Sequence, residues 1–199
     1  MKKRRTSITA AELFAQQAND PDHQAMRAAR DRELAKIADE RRREQGSLLA
    51  DLERIGVAVD WVGRLLSIPV PDERIYPILL DHIGRPYSPW LLDWIGCAFG
   101  HKSARPTVWD RLILLLKSHT LEESAASGVL NAISDIARPD DLPALIHLLS
   151  DPLLGSGRSF LVGDLMRSKK QEARAALMNN RDDPDLAVEI GIRLARSRR

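Results

Sequence analysis

Apolar residues along this chain recur at intervals of three and four in short segments broken by Pro and Gly, and Val, Ile and Thr form no alternating runs. That period is helical and predicts helices over 47–55, 58–67, 72–83, 88–100, 106–118, 121–137, 140–150, 156–168, 170–179 and 184–197. Each break carries a turn signal: Pro69-Val70-Pro71, Gly84-Arg85-Pro86, Arg105-Pro106, Arg138-Pro139, Asp151-Pro152 and Asp183-Pro184. The gaps are short, as expected between antiparallel neighbours.

The pattern also repeats. Pro77 to Ile83, Asp110 to Leu116 and Pro143 to Leu149 align at offsets of 33 residues, each a Leu-rich or Ile-rich core. Each is followed by a second apolar helix: Trp90 to Phe99, Ala125 to Ile136, and Phe160 to Met166. A weaker unit precedes them (Leu48, Leu49 and Leu52, then Trp61, Val62, Leu65 and Leu66), and another follows from Leu177 to Leu194. One helical hairpin cannot hide its apolar face, whereas stacked hairpins bury a continuous core.

Residues 1–46 read differently from 47–199, and the chain divides there into an N-terminal helical extension and a repeat domain. Thr9-Ala10-Ala11-Glu12 has the form of a capping box opening a short helix. Asp20 then reads as an N-cap, with Pro21 as the first helical residue of a second, charged helix reaching Gln45. Its large apolar residues are only Met26, Leu34 and Ile37. So thin a seam fits a solvated arm, or an arm that docks or self-associates through residues 21–45.

The stretch Arg138-Pro139-Asp140-Asp141-Leu142-Pro143-Ala144-Leu145-Ile146-His147-Leu148-Leu149-Ser150-Asp151-Pro152 resembles the start of a HEAT repeat. It has the Asp-rich turn, the early Pro, the Leu-rich first helix and the Asp-Pro before the second. The resemblance covers about residues 70–199, and 47–69 more loosely. Asp110 stands where the early Pro of its unit is expected, and Gly155, Gly157 and Gly163 interrupt a second helix. The resemblance implies an all-α fold, a right-handed superhelix of four to five hairpins with second helices lining a concave face. It also implies the roles of small bacterial HEAT-repeat proteins: adaptor, chaperone-like subunit or neutralising partner of another protein.

Charge narrows the partners. The net charge is +2, but the two tips (Lys2, Lys3, Arg4, Arg5; Arg193, Arg196, Arg198, Arg199) hold 8 of the 30 basic residues and no acidic one. Residues 6–192 therefore carry 22 basic against 28 acidic residues. A net acidic body is a poor surface for phosphate, so nucleic acid is not expected as a partner. The single cysteine, Cys97, excludes an internal disulfide, and the longest apolar run, Leu112 to Leu116, is too short to cross a bilayer. No apolar segment follows the basic start, so a cytoplasmic protein is expected.

No Gly-x-Ser-x-Gly, phosphate loop, Cys-x-x-Cys or dinucleotide fingerprint appears, and no cofactor or metal is expected. Asp93, Cys97 and His101 share a helical spacing that suits metal ligands, but Cys97 lies in an apolar run and reads as a packed thiol. The His-Glu dipeptides of HEAT-built metal hydroxylases are absent. Gly155-Ser156-Gly157-Arg158 reads as a plain turn rather than an anion site. Trp109-Asp110-Arg111 brings to mind the HEAT-like DNA glycosylases, yet Trp109 falls in an apolar stripe and reads as core.

The helix Trp90 to Phe99 is apolar on two faces, with Leu91, Leu92, Ile95 and Phe99 on one and Trp90, Trp94 and Cys97 on the other. Its second face is either sandwiched between repeats or presented to a partner. The expected partner surface is the strip formed by 88–100, 121–137 and 156–168, with Trp90, Asp93, Trp94, Asn131, Asp135, Arg158, Asp164 and Arg167 as contacts. The expected function is a non-catalytic protein-protein interaction module. The alternative is a nucleic-acid-binding enzyme of the alkylated-base DNA glycosylase type on a HEAT-like scaffold.

Overall fold

The computed structural model describes residues 9–196, and among them every regular element is helical, with no strand. The basic residues Lys2 to Arg5, Arg198 and Arg199 lie outside the described residues, as does the side chain of Glu12 expected to close the capping box. No described helix is long and apolar enough to cross a membrane.

The chain forms two compact units that part between Glu44 and Gln45. In the first, α1 (Ala10–Asn19) packs on α2 (Pro21–Glu44). Asp20 caps α2 as its position predicts: its Oδ1 accepts from the backbone N–H groups of Asp22 at 3.0 Å and His23 at 3.4 Å. No residue of α2 is buried.

The second unit holds α3 (Gly46–Arg54), α4 (Ile75–His82), α5 (Pro89–Cys97), α6 (Arg105–Ser118), α7 (Glu123–Ile136), α8 (Leu142–Leu149), α9 (Ser159–Arg167), α10 (Gln171–Asn179) and α11 (Ala187–Arg196). Gln45 belongs here: it is buried, and its Oε1 accepts the Val62 N–H at 2.9 Å. One apolar cluster runs through the unit from Leu48 to Ile190. Sequence-adjacent helices pair as α4 with α5, α6 with α7 and α8 with α9. Alternate helices pack as well: α6, α8 and α10 touch in succession, and so do α5, α7, α9 and α11.

Two predicted helices are corrected. Residues 58–67 do not form an α-helix. Gly56, at φ +86°, ends the preceding turn, and only a 3₁₀ segment, Val62–Ser67, follows. The Trp61 ring folds back over Gly63, where an added Cβ would lie 2.1 Å from it. The helix expected from residue 156 begins at Ser159, because Gly155 at φ +60° and ψ −154° breaks the 3₁₀ segment Pro152–Arg158 before it.

Three buried or half-buried polar ties lock successive hairpins. His82, fully buried, joins Asp51 through Nε2 (2.9 Å) and the Tyr87 hydroxyl through Nδ1 (2.7 Å), and that hydroxyl meets Ser47 Oγ at 2.8 Å. Arg105 donates to the Ile136 carbonyl at 3.1 Å and to Asp141 at 2.8 Å, and its guanidinium lies 4.1 Å from the Trp109 ring centroid. Arg158 forms the third tie, to the turn between α10 and α11.

Candidate functional site

The strip expected to meet a partner is built on α5, α7 and α9, and its spacing is set by glycine. A Cβ at Gly96 would lie 2.7 Å from the Val129 backbone nitrogen, and one at Gly128 would lie 2.3 Å from the Asp93 carbonyl oxygen. α5 and α7 therefore cross backbone against backbone. The next junction is similarly close, since a Cβ at Gly157 would sit 2.9 Å from the Ser127 Cα.

This close approach lines up the polar residues of the three helices. Asn131 donates from Nδ2 to the Cys97 Sγ at 3.5 Å. Ser134 donates to Asp164 Oδ2 at 2.5 Å, and Arg167 pairs with the same carboxylate. Asp135 reaches over the end of α5, where a Cβ at Gly100 would meet its Oδ2 at 2.8 Å. Beyond α9, the Arg193 guanidinium lies against Gly163, 3.1 Å from the place of a Cβ, and pairs with Glu189 at 2.5 Å.

The carboxylates along this row are electrostatically uneven. Burial pushes the Asp93 carboxyl above its ordinary range. Burial does the same to Asp135, and the neighbouring Asp164 charge adds to it. Among the described residues neither Asp93 nor Asp135 has a cation in salt-bridge contact, whereas Asp164 has Arg167. The Cys97 thiol is pushed up first by burial and then by the charges of Asp93 and Asp135, against the opposing hydrogen bond from Asn131. A thiol so placed stays protonated and is a poor nucleophile.

The tryptophans divide. Trp94 is half-buried and meets Trp61 edge-on, with centroids 4.9 Å apart and planes at 75°. Trp90, also half-buried against the core, lines a recess with Asp93, Glu123, Ser124, Ser127 and Ser156. Six of the eight residues expected at the surface, Asp93, Trp94, Asn131, Asp135, Asp164 and Arg167, thus fall along the α5–α7–α9 row, with Trp90 at its edge.

Arg158 is a correction. It is 1 % exposed and cannot serve as a surface contact. Its guanidinium donates to both carboxylate oxygens of Asp183 (3.0 and 3.2 Å), to Asp185 (3.0 Å) and to the carbonyls of Leu149 and Gly155. The charge of Arg158 holds the Asp183 carboxyl below its usual range. An Arg in a Gly-Ser-Gly turn reads as exposed from sequence, because both acidic partners lie more than 20 residues on.

Other candidate chemistry disperses. His101 turns away from Cys97, with its ring nitrogens at Ser103 Oγ (2.8 Å) and the Pro69 carbonyl (2.9 Å), and no three ligand-type side chains among the described residues gather to hold a metal. Trp109 packs on the core under Arg105, with Asp110 and Arg111 exposed. Sequence reasoning gave no place in the site to Trp61, Ser134, Arg193 or the pair Gly96 and Gly128. A signal for the glycines existed, since each interrupts an otherwise good helical pattern, which calls for a packing reason.

Comparison with protein-family models, with curated proteins and with solved structures finds no match to this chain.

Proposed function

We propose that this protein is a non-catalytic, cytoplasmic protein-binding module. In this reading its second unit is a short HEAT-like right-handed superhelix, and the α5–α7–α9 strip is the concave face that grips a basic segment of another protein. The stacking of hairpins is supported by the 33-residue spacing of the apolar cores and by the two rows of alternate helices. The ties between neighbours agree with it: Trp61 with Trp94, Cys97 with Asn131 and Ser134 with Asp164 all join positions 30 to 34 apart, about one repeat.

One observation carries the choice of partner. Asp93 and Asp135 are partly desolvated carboxylates without a paired cation among the described residues, beside Trp90 and Trp94. Dehydrating a carboxylate without a counter-charge costs stability, and protein surfaces hold such groups where binding repays the cost. A lysine or arginine supplies the missing charge, and an aromatic face beside it adds cation–π attraction. The same acids repel phosphate, which favours protein over nucleic acid.

The test is a double substitution, Asp93→Asn with Asp135→Asn. A carboxyl whose folded-state pKa is raised binds more protons folded than unfolded, so its contribution to stability declines as pH rises through that window. At neutral pH the double variant should melt about 1–3 °C higher than the parent, with the difference shrinking as the pH approaches the carboxylate range. Its affinity for the partner recovered by affinity capture from the source cells should fall about tenfold or more. A partner held as tightly by the double variant as by the parent would sink the proposal.

A further inference from the structure

The first unit carries apolar side chains that no described residue in it covers. Phe14 is 68 % exposed, Met26 70 % and Leu34 53 %, and all three line one recess along α1 and α2. We infer that α2 pairs with α2 of a second copy, antiparallel, about a twofold axis between Asp31 and Arg32.

The order of residues in α2 carries this pairing. From Ala25 to Ala38 the helix is nearly the same pattern read in either direction. In an antiparallel pair centred between Asp31 and Arg32, Met26 faces Ile37 of the second copy across the seam described next. On the seam Arg30 meets Glu33 in the same register, and His23 comes level with Glu40. His23, Met26, Arg30, Glu33, Ile37 and Glu40 follow one another at steps of three and four, so they share a single seam. Along that seam every pairing is apolar with apolar or unlike in polarity. The like-charged pairing, Arg27 with Lys36, falls off the seam on the helical wheel.

The seam is open in the structure: Met26, Arg30, Glu33 and Glu40 are exposed, and His23, Met26 and Arg30 also border the recess that Phe14, Arg27 and Leu34 line along α1 and α2. A parallel pair would instead set Arg30 against Arg30 and Glu33 against Glu33. The central Arg30–Glu33 layers therefore select the antiparallel direction, as polar seam residues do in helical pairs.

The experiment is a charge swap in the full chain, read by sedimentation equilibrium over a concentration series, with circular dichroism and thermal melting to confirm folding. The parent should approach twice the 22.3 kDa chain mass as concentration rises. Arg30→Glu places carboxylates opposite one another and should raise the dimer dissociation constant about tenfold or more; Glu33→Arg should do the same with guanidinium groups. Combining the two restores opposite charges and should return the constant to near the parent's value. Both positions are exposed within this unit, so the variants keep the fold. A parent that stays monomeric, as it would if the recess docks within its own chain, overturns the inference. So does a dimer indifferent to Arg30→Glu, or a double variant that fails to recover.

Discussion

Arg158 and His82 are polar side chains buried in the second unit, at 1 % and 0 % exposure. Removing the Arg158 side chain leaves Asp183 and two backbone carbonyls short of donors in a place water reaches poorly. Arg158→Ala should cost about 3–5 kcal/mol of unfolding free energy, the usual penalty for orphaning half of a buried ion pair, measured by urea denaturation. His82 carries a pH signature. Burial pulls its pKa below the ordinary histidine value, with the Arg85 charge adding to the shift, and its two ring nitrogens are matched as the neutral form, Nε2–H donating to Asp51 and Nδ1 accepting from Tyr87. The unfolded chain then takes up the proton first, so this contribution is complete above about pH 6.5 and is lost as the pH falls below it. His82→Ala should lower the melting temperature at neutral pH and flatten the decline between about pH 6.5 and 5, read from melting curves across that range.

At the scale of the element, the α5–α7 crossing is the tightest joint. A methyl group at Gly128 would have to displace the Asp93 carbonyl of the facing helix, and backbone yields far less than a side-chain tip. Gly128→Ala should destabilise by about 1–3 kcal/mol or more despite its better helix propensity, measured by chemical denaturation. Gly46→Ala, where nothing lies within 4 Å of the added methyl, is the matched control. These glycines mark where sequence reading stopped. The three- and four-residue period placed Leu112 and Leu116, Leu145 and Leu149, and Ile133 in the core, where they lie. Asp-Pro and Arg-Pro steps marked most boundaries, because those residues act on their own backbone. Which glycine faces another helix, and which Asp completes an Arg, depends on residues about one repeat away, and no local window contains both.

Across the whole molecule the same division holds. Helical content and the break after the charged N-terminal stretch follow from periodicity and composition. Trp94 shows what does not follow: its partner Trp61 stands 33 positions earlier, in a segment whose helical periodicity is misleading. The row of Asp93, Asn131, Asp135 and Asp164 was legible as polar positions in apolar helices, while the uneven pairing of its charges emerged only with the helices in contact.

The joint at Gly96 and Gly128 has a bearing on how such a molecule changes over generations. Where two helices are spaced by interlocking side chains, each surface exchange risks shifting the frame. Here the frame is set by main-chain atoms, which every substitution at Asp93, Asn131 or Asp135 leaves in place. Under the proposed function, side chains on this face can be exchanged to suit a different partner while the distance between the helices that carry them stays the same.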